Sequence, residues 1–249
     1  MRTTPRKAFI VDLQHQRVVV LGGTSGIGFA TAKAAASLGA QLTVVSSRPA
    51  SVERALADLP PGTDGRVADL GEADQVSQLF DDLGDFDHLV YTAGEPLALM
   101  NLDTLDLKQA KEFFDLRYFG ALWAVHAAIP HLRLGGSITL TTGIAGRRPG
   151  PGWGVAASIC GAVESLTRAL AVELAPIRVN AVSPGVVRSP LWDSMTADSR
   201  DQMYRDTAAG IPAGRIGEVD DIAQAYLYFL TQPFATGSIL TIDGGAVLA

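Results

Sequence analysis

Apolar positions fall into short β-rich runs separated by alanine-rich stretches along the whole 249-residue chain. The runs predicted as strands are Arg17–Leu21, Gln41–Ser46, Gly65–Ala68, His88–Tyr91, Ser137–Thr142, Arg178–Val182 and Ile239–Ile242. Several are continuously apolar rather than alternating, as expected of parallel strands covered on both faces. Helices are predicted over Ile27–Leu38, Pro49–Asp58, Ala73–Leu83, Asp106–Pro130, Val155–Leu174 and Glu218–Leu230. Such regular βα alternation predicts an α/β fold built on a doubly wound parallel sheet. No composition break, internal repeat or low-complexity segment interrupts it, so residues 1–249 read as one domain, with 1–15 as an N-terminal extension. The longest stretch without an obvious strand, Ser183–Gly217, is rich in Pro, Gly and Asp. A connection that long is usually functional, and 186–217 is expected to form a substrate loop or lid.

Composition narrows the function classes. An apolar content of 47% supports a sizeable core. A net charge of −6 with 20 basic residues leaves no basic stripe for nucleic acid, and Arg2/Arg6/Lys7 and Arg147/Arg148 read as solvated surface. Cys160 stands alone, which rules out an intramolecular disulfide and suits a reducing compartment. The apolar run Ala8–Val11 is too short for a signal segment. No stretch reaches the roughly 18–20 unbroken apolar residues of a membrane span. A soluble cytoplasmic protein without metal site, nucleic-acid partner or membrane partner is the expectation.

The most informative segment is Gly22-Gly23-Thr24-Ser25-Gly26-Ile27-Gly28, which follows a strand and opens a helix. Glycine is required where the turn is tight and where backbone approaches a pyrophosphate. The helix N-terminus beyond it offers free N–H groups and partial positive charge to phosphate. At the end of the second strand, an acidic residue would bond the ribose 2′-hydroxyl of NAD. Here the chain reads Val45-Ser46-Ser47-Arg48, without a carboxylate. Arg48 and Ser47 suit a 2′-phosphate, because a guanidinium presents a planar fork of donors to phosphate oxygens. NADP(H) is therefore expected over NAD(H), the alternative being that Arg48 only caps a loop.

Together these residues resemble the short-chain dehydrogenase/reductase family over roughly Arg17 to Gly245, which implies a Rossmann-type fold. The turn Gly22-xxx-Gly26-x-Gly28 resembles its dinucleotide signature, with Thr24, Ser25 and Ile27 between the glycines. Asp69-Leu70 resembles its adenine-contacting pair, and Ala93-Gly94 the end of its Asn-Asn-Ala-Gly motif. The segment Arg178–Gly185 is similar to the one that ends beside the nicotinamide, which adds Pro184, Gly185 and Val187 to the candidate cofactor residues. Thr236-Gly237 and Asp243-Gly244-Gly245 match the family's closing strand. The resemblance also implies dimers or tetramers formed through the two long helices.

The family's chemistry rests on an asparagine, a serine, a tyrosine and a lysine. Aligning Gly161–Leu170 places the tyrosine at Ala156 and the lysine at Cys160. An independent register from Gly136-Ser137-Ile138 places the serine at Gly143, and the family's thirteen-residue spacing separates 143 from 156. The asparagine position, three before Gly120, holds Arg117. No tyrosine lies between Tyr118 and Tyr204 to restore the site, and Tyr91-Thr92 replace the Asn-Asn pair. Tyr91 and Thr92 suit either contact with the cofactor or local packing.

Losing a positioned general acid costs roughly 10²–10⁴-fold in rate but does not forbid hydride transfer, which belongs to the cofactor. Arg117 is a candidate oxyanion stabiliser, though a poor proton donor. Thr142 offers a hydroxyl beside the serine position unless it faces the core, and Ser158 is expected to point away. Cys160 is either a small buried hydrophobe or a thiol beside the nicotinamide ribose, active only with a lowered pKa. In Arg147–Gly154, either Trp153 walls a pocket and Arg147 or Arg148 meets an anionic substrate, or the loop is a rigid surface turn with an anchoring aromatic; Trp192 and Met195 are candidates for the opposite wall. Three functions follow: a divergent oxidoreductase on a carbonyl or alcohol, a cofactor-binding protein without turnover, and a non-redox enzyme reusing the pocket.

Overall fold

The computed structural model describes residues 12–249; the run Ala8–Val11 and the basic cluster Arg2/Arg6/Lys7 lie outside them. The elements in chain order are β1 (Arg17–Leu21), α1 (Gly26–Ser37), β2 (Gln41–Ser46), α2 (Pro49–Asp58), β3 (Asp64–Val67) and α3 (Ala73–Leu83). Then come β4 (Phe86–Tyr91), α4 (Leu107–Phe114), α5 (Ala121–Ala128), β5 (Leu132–Thr141), α6 (Gly154–Glu173) and β6 (Arg178–Pro184). The last are β7 (Val187–Arg188), α7 (Ala197–Ala209), β8 (Gly217–Glu218), α8 (Val219–Thr231) and β9 (Ile239–Ile242). Seven strands form one sheet in the order β3-β2-β1-β4-β5-β6-β9, all pairs parallel. Strand order reverses between β1 and β4, which opens a crevice at their carboxyl ends.

Continuous apolar strands are explained by the two faces they serve. Val18 and Val20 of β1 join one core cluster with Ala32 and Ala35 of α1 and Ile222 and Tyr226 of α8. Their neighbours Val19 and Leu21 join the other, with Phe80 of α3, Ala124 of α5 and Val163 of α6. Successive side chains point to opposite faces, so a strand buried twice must be apolar at every position. Each fully buried valine adds about 1.5–3 kcal/mol of hydrophobic stabilisation.

Two expectations need correction. The predicted helix Asp106–Pro130 is not continuous: a π-helical turn, Asp115–Gly120, separates α4 from α5. The Tyr91 hydroxyl donates to the Leu116 carbonyl at 2.6 Å within that wide turn. A Cβ at Gly120 would lie 2.8 Å from the same hydroxyl, so glycine permits the approach. Nor is Ser183–Gly217 one long connection, since it holds α7 and the paired short strands β7 and β8. Helix α7 escapes a periodicity search because Tyr204 is its one buried residue. Its start is fixed instead by Thr196, whose hydroxyl caps the Ser199 N–H at 3.3 Å.

Helix α6 is long and apolar enough, by length and composition, to cross a membrane. It nevertheless carries Glu164 and Arg168, and it packs Ile159, Val163, Thr167 and Leu170 into the core.

Candidate active site

A single cavity of about 850 Å³ runs along the carboxyl ends of the strands, and every candidate cofactor residue lines it. At one end, β1 passes through the glycine turn into α1. Gly22 has φ +82°, and a Cβ there would stand 2.6 Å from the Ala93 nitrogen. Gly26, at φ +53°, also needs the left-handed region. A Cβ on Gly28 would overlap the Gly22 carbonyl oxygen and Thr92 Oγ1. The turn is thus a cradle that any side chain would fill. Ser25, the N-cap of α1, makes no side-chain cap bond, and the first turn holds no acid. Free N–H groups and helix dipole therefore face the cavity, as a pyrophosphate requires.

At the end of β2, Ser46, Ser47 and Arg48 line the same wall, with Asp69 and Leu70 beyond β3. Arg48 is also the N-cap residue of α2, so its backbone does begin a helix. Its side chain is exposed and forms no ion pair among the described residues. These residues fit a nicotinamide dinucleotide, the glycine turn and helix suiting its pyrophosphate, while Ser47, Arg48, Pro184, Gly185 and Val187 line the same cavity.

At the other end, Arg117, Gly143, Ala156 and Cys160 converge on the cavity wall. Arg117 sits on the π-helical turn, the kind of local distortion often found at functional sites. Its Nε is 3.2 Å from Glu95 Oε2, Nη2 donates to the Glu95 main-chain oxygen, and Cζ lies 4.9 Å above the Phe113 ring. The ion pair is a charge contact rather than an aligned hydrogen bond, because neither Nε nor Oε2 has a well-directed partner. Burial pulls the Arg117 pKa down, against Glu95, Cys160 and Tyr91, which raise it. Burial also pushes the Glu95 carboxyl up, against the pull of its own backbone and of Arg117.

The remaining hydroxyls are committed elsewhere. Thr142 Oγ1 donates to the Cys160 carbonyl at 3.1 Å, and Ser158 Oγ to the Gly154 carbonyl at 2.8 Å. Thr92 Oγ1 donates to the Leu21 carbonyl at 3.0 Å, and Tyr91 is buried with its hydroxyl on Leu116. Tyr91 and Thr92 thus make local hydrogen bonds while also lining the cavity. Burial pushes the Cys160 thiol up, outweighing Thr142, the Gly146 backbone and Arg117. That is the reverse of activation.

The mouth is built from three interlocked loops. Leu97 N donates to the Leu191 carbonyl at 2.9 Å, Met100 N to the Gly152 carbonyl at 2.9 Å, and Ser194 Oγ to the Leu97 carbonyl at 2.9 Å. Trp153 and Trp192 meet edge to face at 6.5 Å, and Met195 packs against that cluster. The two tryptophans therefore share one wall instead of facing each other. Arg148 is anchored on the Ala246 carbonyl at 2.5 Å, and Arg147 reaches Thr241 and Glu164. Glu95 carries no sequence signal beyond being an acid directly after Ala93-Gly94, and only the fold brings it to Arg117.

Comparison with known proteins agrees with this geometry. The family model for an SDR-like Rossmann domain matches residues 9–249. The short-chain dehydrogenase/reductase ucsE of Acremonium sp is 35% identical, the match covering 95% of this chain and 97% of that protein. A small-chain dehydrogenase solved in complex with NADPH is 37% identical at a TM-score of 0.80, covering 94% of this chain and 99% of that one. The MalC reductase/Diels-Alderase from Malbranchea aurantiaca is 30% identical at a TM-score of 0.88, covering 95% and 98%. With a cradle suited to a nicotinamide dinucleotide and relatives aligned end to end, the chain belongs to the short-chain dehydrogenase/reductase family.

Proposed function

We propose that the protein is an NADP(H)-dependent oxidoreductase acting on a carbonyl or alcohol, with Arg117 in place of the usual acid–base pair. One observation carries the reading: the glycine cradle and Arg117 open onto the same cavity, whose mouth loops are tied together. When bound, the cofactor supplies or accepts hydride. The chain's own part is to orient the substrate and to stabilise negative charge on its oxygen. A guanidinium in the cavity wall does this electrostatically, where a single oxyanion donor is worth roughly 10²–10³-fold. Proton delivery then falls to solvent, since Thr142 and Tyr91 are spoken for and burial holds Cys160 protonated.

The NADPH complex of a similar enzyme, and an Arg48 without an ion pair among the described residues, support NADP(H) over NAD(H). A second reading, a protein that binds cofactor without turnover, has the positions 143, 156 and 160 in its favour. The third, a non-redox enzyme, is favoured by the double activity in the name of the MalC relative. Fluorescence titration with NADPH and NADH, followed by a carbonyl panel, separates them. Tight NADPH binding with turnover supports the proposal; tight binding without turnover favours the other two; binding of neither nucleotide removes the first two. We further propose a homodimer or homotetramer in the cytoplasm. The exposed apolar side chains Phe119, Trp123 and Val172 on the α4–α5 and α6 segments supply the surface, and light scattering tests the oligomer.

A further inference from the structure

We propose that Arg117 forms a binding site for an organic carboxylate, whose oxygens take the place of the substrate's reacting oxygen, and that Glu95 masks its charge until the anion arrives. The inference rests on the reading that Arg117 faces the substrate, and goes beyond it by naming the ligand class and the gate.

The guanidinium is held flat by three contacts that leave one edge free. Phe113 covers one face, with Cζ 4.9 Å from the ring centre. Gly94 lies so close that a Cβ there would stand 2.8 Å from Nη1 and 2.9 Å from Cζ. The Glu95 main-chain oxygen takes one hydrogen from Nη2. Nη1 has no acceptor among the described residues, and Arg117 lines the cavity. A planar fork with an open edge is the geometry that receives both oxygens of a carboxylate.

Glu95 sits on the Nε side of the guanidinium. Its carboxylate sits 3.2 Å from Nε without an aligned hydrogen bond, and its side chain is not part of the cavity wall. It therefore neutralises the guanidinium without blocking it. Shape is kept by Phe113, Gly94 and the Glu95 backbone; charge is set by the Glu95 side chain. The other titratable groups acting on the pair are Asp115 on the π-helical turn, Tyr91 at the end of β4 and Cys160 on α6. Burial and Asp115 favour the neutral form of Glu95, while its own backbone and Arg117 favour the charged form. As pH falls and Glu95 takes up its proton, the Arg117 charge is uncovered and anion affinity rises.

The test uses benzoate as the probe, followed by quenching of tryptophan fluorescence, in the protein alone and with saturating NADP⁺. Measurements run from about pH 8.5 down to about pH 5.5, above the range in which carboxylic acids ordinarily protonate. Benzoate should bind more tightly as pH falls. Glu95→Gln, which keeps the shape, should bind roughly 10–100-fold more tightly at high pH and lose most of that pH dependence. Arg117→Ala should abolish the binding, and Arg117→Lys, which keeps the charge but not the fork, should weaken it about tenfold. Equal binding by Arg117→Ala, a Glu95→Gln variant that binds no more tightly than the wild type at high pH, or no benzoate binding at any pH would overturn the proposal. Failure of NADP⁺ to bind would strike the cofactor reading instead, and leaves the benzoate result in the protein alone to be judged by itself.

Discussion

The two ends of the cavity are built on different principles. The cradle is made of backbone: Gly22, Gly26 and Gly28 hold a turn that admits no side chain, and the N-terminus of α1 supplies the charge. The opposite end is made of side chains, with Arg117, Glu95 and Cys160 arranged around Gly143 and Ala156. A backbone site tolerates little change, because Gly22 and Gly28 are hemmed in by backbone atoms and Gly22 and Gly26 hold positive φ. A side-chain site can be rewritten by single substitutions while the sheet beneath it stays the same. This contrast explains how a familiar cofactor end stands beside an unfamiliar chemical end.

The largest effect should come from breaking the backbone end. Gly28→Val would force side-chain atoms onto the Gly22 carbonyl and the Thr92 hydroxyl. Overpacking of this kind costs about 1–3 kcal/mol, and NADPH affinity should fall by about two orders of magnitude. Paired thermal melts and NADPH titration check it; unchanged binding would break the comparison.

Acid titration offers a control far from both ends. His88 is buried early in β4, with Nδ1 2.8 Å from Ser137 Oγ and Nε2 2.5 Å from Gln16 Oε1. Burial, helped by Arg178, pulls its pKa down to about 4 from an ordinary 6.5. The folded state thus binds its proton later than the unfolded chain. The stability it contributes is complete above about pH 6.5 and is lost as pH falls toward about 4, to an extent of about 3 kcal/mol. Denaturant unfolding across that window should show the loss, and His88→Gln should flatten it.

Smaller effects sharpen the division inside the cavity. Arg48→Ala should weaken NADPH by about 10–100-fold, the worth of charge-assisted hydrogen bonds, and leave NADH nearly unchanged. Equal losses for both nucleotides would show that Arg48 only begins α2. Cys160→Ser should change NADPH affinity and turnover by less than about twofold, because burial keeps the thiol protonated. A large loss would make Cys160 a participant.

The sheet was legible in the sequence because strands buried on both faces, such as Val18–Leu21, must be apolar throughout. The cradle was legible because the glycine turn has a backbone cause. The break at Asp115–Gly120 was not: it depends on Tyr91 reaching across from β4, a contact remote in sequence. Helix α7 stayed hidden because it sits at the rim with a single buried residue, so no apolar stripe announces it. Glu95 was missed for a related reason. Its meaning lies in its distance from Arg117, and no spacing rule brings positions 95 and 117 together.

The central claim is that Arg117 serves the substrate and not the cofactor. NADPH titration and turnover on any carbonyl the wild type reduces should be measured side by side for the wild type and Arg117→Ala. The account predicts equal NADPH affinity with turnover reduced by about 10²–10³-fold. Loss of NADPH binding together with turnover, or turnover left intact, would contradict it.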